Sequence, residues 1–153
     1  MTAAADERTG FEDTYADLRL PLLRLAFLLT GSRDQAEDVV QAVFTSAYPR
    51  WDSIDEPRAY LRRAVVNAGN DVHRRRAKDR RITPEPEPVT SIPEVDETWA
   101  VLVRLPVRQR TVVVLHFYED QSLADIGRLL GRPAATVRSD LRRALSTLRS
   151  QLP

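Results

Sequence analysis

The sequence predicts an all-α protein built from two small helical domains, which a proline-rich, acidic linker joins. Apolar residues recur at helical spacing on both sides of the segment TPEPEPVTSIP, and no stretch alternates as a half-buried strand would. The segment itself has four prolines in eleven residues and no hydrophobic periodicity, which is typical of an extended linker. We therefore predict a first domain over residues 8–81, a linker over 82–93 and a second domain over 94–153.

The first domain is predicted to hold three helices around one core. The first helix spans Phe11 to Leu29, is expected to break or kink at Pro21, and buries one stripe: Phe11, Tyr15, Leu18, Leu22, Leu25 and Leu29. Thr30-Gly31 ends it. Ser32 and Gln35 then form a capping box for a second helix that buries Ala36, Val39, Val40, Val43, Phe44 and Ala47. The third helix starts at Pro57, a favourable first-turn residue, and buries Tyr60, Leu61, Ala64, Val65, Ala68 and Val72.

The second domain carries the pattern of a helix-turn-helix. A short helix around Trp99 and Val103 precedes a helix that starts at Pro106. Ser122 and Asp125 form a second capping box, and Gly131 permits a sharp turn. The final helix then repeats apolar residues on one face: Val137, Leu141, Ala144, Leu145 and Leu148. Two short helices around a glycine-containing turn, with arginines on the second, are typical of a helix-turn-helix DNA-binding domain.

The composition excludes several classes of site. Hydrophobic residues make up 42% and charged residues 29% of the 153 residues, the balance of a folded soluble protein. The absence of cysteine excludes disulfides, thiolate metal sites and a cysteine nucleophile. The N-terminus lacks the apolar run of a signal peptide, and no segment approaches the roughly 20 apolar residues that span a bilayer. We expect a cytoplasmic protein without membrane insertion.

Charges are segregated along the chain. Acidic residues outnumber basic ones over residues 1–57, basic residues dominate 58–82, the stretch 83–98 is acidic, and 128–149 is basic again. This pattern predicts two surfaces that bind polyanions and an acidic N-terminal region that is free for another partner. For any single run, a plain solvated helix face is an equally good interpretation.

No catalytic, cofactor or metal site is expected. His73 and His116 are far apart and match no metal-ligand spacing, and the glycines form no phosphate-binding loop. Asp34, Asp38 and Gln41 fall on an exposed helix face, which favours a solvated or protein-docking surface over an acid–base pair.

Two helices carry residues suited to nucleic acid. Opposite its apolar stripe, the third helix presents Arg58, Arg62, Arg63, Asn67, Asn70, Arg74 and Arg75. Cations bind phosphates, and asparagine can hydrogen-bond bases exposed in separated strands, although on the residues alone capping or solvation is the preferred role of the asparagines. On the final helix, the side chains expected nearest to base edges are Arg138, Ser139, Arg142 and Arg143.

Two long segments resemble a known family. LLTGSRDQAEDVVQAVFTSAYPRWDSIDEPRAYLRRAVVNAGNDVHRRR resembles region 2 of the extracytoplasmic-function (ECF) group of sigma-70 factors, and LPVRQRTVVVLHFYEDQSLADIGRLLGRPAATVRSDLRRALSTLR resembles their region 4. The resemblance covers nearly all of the chain from Phe11 to Leu148, in the family's order. It implies a non-enzymatic subunit that binds core RNA polymerase and directs promoter recognition, strand opening and transcription initiation.

The resemblance also implies roles for individual residues. The segment Asp34–Gln41 would dock on the β′ clamp coiled coil of the polymerase through Asp34, Glu37, Asp38 and Gln41, and region 4 would meet the β flap. The −10 element would be melted and held by a flipped-base loop over 51–57 and by Trp51, Arg58, Arg62, Arg63, Asn67, Asn70, Arg74 and Arg75. The −35 duplex would be read by Thr136, Arg138, Ser139, Arg142 and Arg143.

The chain departs from the family pattern at two positions. Asp140 stands where the family usually has a basic residue, and we expect it to repel phosphate and shift the preferred −35 sequence. Pro133 stands where a serine often caps the recognition helix. Because only five residues follow Leu148, we expect regulation by a separate molecule, typically an anti-sigma factor. Two alternatives remain: a stand-alone helix-turn-helix regulator, and a degenerate sigma factor that sequesters an anti-sigma factor.

Overall fold

The computed structural model of the chain describes residues 2–78 and 97–151, and over these ranges the chain is helical. The helices are α1 (Thr2–Thr30), α2 (Arg33–Ala47), α3 (Pro57–Lys78), α4 (Glu97–Val103), α5 (Val107–Val113), α6 (Leu123–Leu130) and α7 (Ala134–Gln151). A 3₁₀ turn (Tyr48–Ser53) follows α2, and a π-helical turn (Val114–Tyr118) follows α5. The all-α prediction is confirmed. The predicted linker over 82–93 lies outside the described residues.

Helix α1 continues through Pro21, so of the two predicted outcomes, a break or a kink, the break does not occur. A proline inside a helix costs about 3 kcal/mol, and the residues after it offset this loss because nearly every one of them is buried: Leu22, Leu23, Leu25, Ala26, Phe27, Leu28 and Leu29. The helix ends where predicted. Gly31 adopts a positive φ of 74°, a conformation that glycine reaches without steric penalty, and its N–H donates to the carbonyl of Phe27 at 2.7 Å.

Helix α2 buries the six residues that its sequence pattern predicts. Its N-terminal cap is only half of the predicted capping box. The Ser32 hydroxyl accepts from the Gln35 N–H at 3.4 Å, whereas the Ser32 N–H donates to the hydroxyl of Thr30 at 3.3 Å. Thr30 thus takes the place expected for the Gln35 side chain.

Helix α3 buries Leu61 and Val65 as predicted, and α1, α2 and α3 pack against one another around a shared core. The helix also buries Val66, Gly69 and Asn70. The exposed position predicted for Asn70 is therefore wrong. Asn70 is buried because α6 covers it and accepts its amide at the Leu129 carbonyl, whereas Gly69 packs against Leu29 of α1.

The C-terminal helices pack as a compact unit in which α7 contacts α4, α5 and α6. The predicted turn between α6 and α7 is confirmed, with Gly131 at a φ of 67°. Gly127 is also required, because a Cβ there would lie 2.6 Å from the carbonyl oxygen of Arg132. Within the described ranges, none of the helices has the length and apolarity that crossing a bilayer requires.

The two units share one hydrophobic core, which runs from Leu18 in α1 to Ala144 in α7. Helix α5 packs on α1, and the guanidinium of Arg110 lies against Gly31, whose Cβ position is 2.8 Å from Arg110 Nη2. Arg110 is almost fully buried and donates to the Val103 carbonyl at 2.9 Å. Its charge lies beside the C-terminal end of α1, where the helix dipole favours a cation.

Candidate functional site

Helix α7 separates its apolar and polar residues cleanly. Val137, Leu141 and Ala144 face the core. Four predicted DNA-reading side chains are exposed on the opposite side, namely Arg138, Ser139, Arg142 and Arg143, and the fifth, Thr136, is partly exposed in the first turn. The turn after α6 is closely packed, and α7 presents this polar face outward, as insertion into a major groove requires.

Pro133 provides the first hydrogen-bond acceptor of α7. Its carbonyl accepts from the N–H groups of Thr136 at 3.0 Å and Val137 at 3.1 Å. Proline therefore stands at the N-cap itself, one residue before the helix begins. The family's side-chain cap is replaced by a residue whose fixed φ already suits a helix start.

Asp140 does not face solvent, so the expectation that it repels DNA phosphate is wrong. The residue is 4% exposed, and its Oδ2 accepts from Arg108 Nε at 2.9 Å and from Arg132 Nη1 at 3.3 Å. The carboxylate thereby ties the recognition helix to the start of α5 and to the turn before α7. Burial, and then the charge of Arg108, lower the pKa of Arg132 below its ordinary value, and Asp140 opposes this shift.

Helix α3 presents only part of its predicted DNA surface to solvent. Arg58, Arg63, Asn67 and Arg75 are exposed, and Arg58 makes a solvated ion pair with Asp17 at 3.6 Å. Arg74 belongs to α3, but its side chain lies outside the described part of the structure.

Arg62 and Asn70 are instead engaged by the C-terminal unit. Arg62 makes a forked contact with the Glu119 carboxylate, with Nη2–Oε1 at 2.8 Å and Nε at 3.2 and 3.3 Å from the two oxygens. This hydrogen bonding raises the pKa of Arg62 above its ordinary value. Asn70 Nδ2 donates to the Leu129 carbonyl at 3.2 Å. Local sequence patterns could not predict these partners, because Glu119 and Leu129 are remote from α3 in the chain.

Trp51 is the first residue of the loop over 51–57, and its side chain points into the core of the first unit. It is 9% exposed and packs edge-to-face on Phe11, with ring centroids 5.1 Å apart. The prediction that it contacts DNA is not supported by this position, because the indole is buried against Phe11, at the start of the predicted first helix. The loop's polar residues Asp52, Ser53 and Asp55 remain exposed.

The predicted docking residues of α2 lie together on one accessible surface. Asp34, Asp38 and Gln41 are exposed and Glu37 is partly exposed, and Arg33 pairs with Glu37 one turn away at 3.2 Å. Beside them lies a groove of ≈ 250 Å³ between α1 and α2, lined by Tyr15, Arg19, Leu23, Glu37, Asp38, Val40 and Gln41. An acidic rim over a partly apolar floor suits a protein partner with basic side chains.

Comparison with known families identifies both units. Residues 14–79 match the model of sigma-70 region 2, and residues 96–148 match that of sigma-70 region 4. The RNA polymerase sigma-E factor of Streptomyces avermitilis is 35% identical, over 97% of this chain and 88% of that protein. The ECF RNA polymerase sigma factor SigW of Bacillus subtilis is 28% identical, over 95% of this chain and 92% of that protein.

The fold is also similar to a solved structure. The sigma factor RpoE, in its complex with the anti-sigma factor NepR from Bartonella quintana, matches with a TM-score of 0.58 and 24% identity. The match covers 91% of this chain and 96% of that one. At this identity the likeness concerns the fold alone.

Proposed function

The chain belongs to the extracytoplasmic-function group of the sigma-70 family, whose members direct RNA polymerase to promoters, and we propose how its surfaces divide that work. As a member it is a regulatory subunit that binds core polymerase and promoter DNA. In our proposal α2 docks on the polymerase, the loop over 51–57 and α3 hold the melted −10 strand, and α7 reads the −35 duplex. We also propose that it acts in the cytoplasm, where core polymerase is, and that it catalyses no reaction itself.

The observation that carries the −35 assignment is the exposed polar face of α7. One side of this helix packs in the core. The other side is exposed and carries Arg138, Ser139, Arg142 and Arg143. Arginine is the side chain best suited to bidentate contact with guanine in the major groove. Arg63 and Asn67, which are among the exposed residues of α3, support the −10 assignment, since they are accessible to a single strand.

We further propose an anti-sigma factor as a regulatory partner. The solved structure with the matching fold is a sigma factor in complex with an anti-sigma factor. The acidic groove beside α2 is accessible, and a regulator that covered it would compete directly with core polymerase. A purified regulator that acts in this way would displace the chain from core polymerase in a competition pull-down.

Run-off transcription tests the proposed function. The chain is added to Streptomyces core polymerase on a fragmented genomic library, and the 5′ ends of the transcripts are sequenced. We expect transcripts that share −35 and −10 elements. Arg138→Ala and Arg143→Ala should each weaken −35 discrimination by about 1–3 kcal/mol if they contact guanine. Arg149→Ala, on the same helix but past the polar face, is the matched control.

Other outcomes would change the assignment. If an arginine contacts only phosphate, its loss should weaken binding equally on all DNA sequences. The slope of log K against log salt concentration should then become shallower by about one. Tight, sequence-specific binding of duplex DNA without core polymerase would favour a stand-alone regulator. A chain that supports no transcription yet binds an anti-sigma factor would favour the degenerate sigma factor.

A further inference from the structure

We propose that Arg108 binds a phosphate of the DNA backbone beside the −35 groove, and that Asp140 is the positioning residue that holds its guanidinium there. This contact rests on the proposed function, because it requires α7 to lie in the major groove. It lies outside α7 itself, and it gives the buried acid of the recognition helix a part in DNA binding.

Asp140 joins two arginines that come from different elements. Its Oδ2 accepts from Nε of Arg108, in α5, at 2.9 Å and from Nη1 of Arg132, in the turn before α7, at 3.3 Å. The backbone of Arg132 is itself fixed, since its N–H donates to the Gly127 carbonyl at 2.9 Å. One buried carboxylate thereby sets the position of two guanidinium groups relative to α7.

The cluster has an excess positive charge, because two guanidinium groups surround one carboxylate. Asp140 is almost fully buried and Arg132 is mostly buried, whereas Arg108 is exposed. The excess charge therefore reaches solvent through Arg108. Its Nε is bonded to the carboxylate, and among the described residues its two Nη groups make no further hydrogen bond. The rest of its donor fork is available to an anion.

The cluster lies at one edge of the polar face of α7. Asp140 follows Thr136 by four residues and precedes Arg143 by three, and residues at these spacings are neighbours on a helix surface. The guanidinium of Arg108, which is bonded to Asp140, therefore lies beside the edge that Thr136 and Arg143 form. Because Arg108 extends from α5, which packs on α7, it stands on the flank of the recognition helix.

The dimensions of the groove assign a phosphate to this flank. A helix with its side chains is about 10–12 Å across, and the major groove is about 12 Å wide. A recognition helix therefore fills the groove, so that its outer face meets base edges and groups on its flank meet the phosphates of the groove wall. An arginine that an acid already holds in place gives up less rotamer freedom on binding than a mobile one.

Binding of the full-length chain to duplex DNA tests the contact. The probe is a fluorescein-labelled duplex of about 25 base pairs and random sequence, because a phosphate contact carries no sequence information. Fluorescence anisotropy gives Kd over a series of KCl concentrations. Arg108→Ala removes the proposed contact from an exposed position. Arg104→Ala, in the turn before α5, removes another exposed positive charge and is the matched control.

We expect Arg108→Ala to weaken binding about tenfold at the lowest salt concentration, because one hydrogen-bonded contact to a charged group is lost. The slope of log K against log salt concentration should become shallower by about one. Arg104→Ala should change both quantities far less. Circular dichroism should show the same helical content for both variants, since neither side chain is buried.

Asp140→Asn tests the positioning role, at a temperature where circular dichroism shows each variant folded. The substitution keeps the shape of the side chain but removes its charge, so Arg108 loses its charge-assisted anchor. In this background Arg108→Ala should cost only about threefold, because an unanchored arginine has to give up rotamer freedom to bind. If Asp140 only masked the charge of Arg108, the same substitution would cost more than in the wild-type background.

Equal affinity and equal salt dependence of Arg108→Ala and Arg104→Ala would overturn the phosphate contact. A cost of Arg108→Ala that rises in the Asp140→Asn background would overturn the positioning role. Arg143→Glu, which places an acid on the assigned DNA face of α7, separates this contact from the proposed function. If Arg143→Glu binds the duplex as the wild type does, the −35 assignment fails as well. If Arg143→Glu weakens binding and Arg108→Ala does not, the −35 assignment stands without Arg108.

Discussion

The carboxylate of Asp140 lies between two guanidinium groups and not toward DNA. Its helix position alone gave no reason to expect this, because the partners come from α5 and from the turn before α7. The pairing explains how an acid is tolerated in a helix that we assign to DNA. Arg108 is the more exposed of the two partners, with 52% of its side chain accessible against 18% for Arg132, so the cluster presents a positive charge at the surface.

Removal of this carboxylate should destabilise region 4. Asp140→Ala would leave Arg132 largely buried without its acid, and we expect a loss of about 2–3 kcal/mol in the free energy of unfolding. Urea unfolding followed by circular dichroism measures the change. Ser139→Ala, next to it on the exposed face, should stay within about 0.5 kcal/mol. Equal stability of the two variants would mean that the Asp140 pairs contribute nothing.

Arg62 and Asn70 also show how a residue's role depends on what covers it. Both stand opposite the stripe by which α3 packs on α1 and α2, and helical periodicity placed both in solvent. The structure gives each a defined partner in region 4. Arg63 and Asn67 share the same helix but remain exposed, which makes them the more direct candidates for strand contact.

Among the elements, α2 was the most predictable. Within the described residues it packs mainly against neighbours close in sequence, α1, α3 and the 3₁₀ turn that follows it, so its amphipathic pattern was sufficient to identify every buried residue. Helix α1 was harder to predict, since its C-terminal half is buried on several faces by two different units. Uniform burial leaves no polar face to set the period, and this same packing carries the helix past Pro21.

The exposed face of α2 leads to a prediction about polymerase binding. Reversal of two charges, Glu37→Lys with Asp38→Lys, should weaken the complex with core polymerase about tenfold or more, because like charges would then face a basic partner. A pull-down with purified core polymerase measures the loss. The matched control is Glu12→Lys with Asp13→Lys, an exposed acidic pair on α1.

The double reversal in α2 should leave the fold intact, since neither side chain is buried. Circular dichroism should therefore give the same helical content for both double variants. If the two variants bind core polymerase equally well, α2 is not the docking element, and the acidic groove beside it needs another explanation.

At the scale of the whole molecule, one core passes through both regions. We therefore expect region 2 and region 4 of the free protein to unfold as one cooperative unit. In a Trp99→Phe background, Trp51 reports on region 2 alone. Val137→Ala makes a cavity wholly inside region 4, with a loss of about 2 kcal/mol. It should lower the midpoint of the Trp51 transition by about 5 °C.

Independent regions would behave differently. Val137→Ala would then leave the midpoint of the Trp51 transition unchanged. Circular dichroism would show region 4 unfolding separately, at a lower temperature. As a comparison inside region 2, Leu61→Ala should lower the Trp51 midpoint in either case, since Leu61 is fully buried. The contrast between the two variants isolates the coupling between the regions.

The sequence by itself determined the all-helical architecture, the serine N-caps of α2 and α6, the glycine turns after α1 and α6, and the order of two family segments. These features depend on contacts within a few residues, such as Ser122 accepting from Asp125 at 3.1 Å or the left-handed Gly131. It also determined which residues of α2 and which apolar residues of α7 face inward, because each helix packs within a single unit. The face of α7 that we assign to the −35 element could be identified for the same reason.

Only the tertiary structure decided which of the predicted −10 residues are accessible. A periodic pattern predicts one buried face, and α3 has two, because region 4 covers a second stripe through partners remote in the chain. The same reason applies to Asp140, whose arginines come from two other elements, and to Trp51, which α1 covers. The sequence shows which kinds of group such a side chain can bind, through its charge and its spacing. When its partners are remote in the chain, only the tertiary packing shows which of them it contacts.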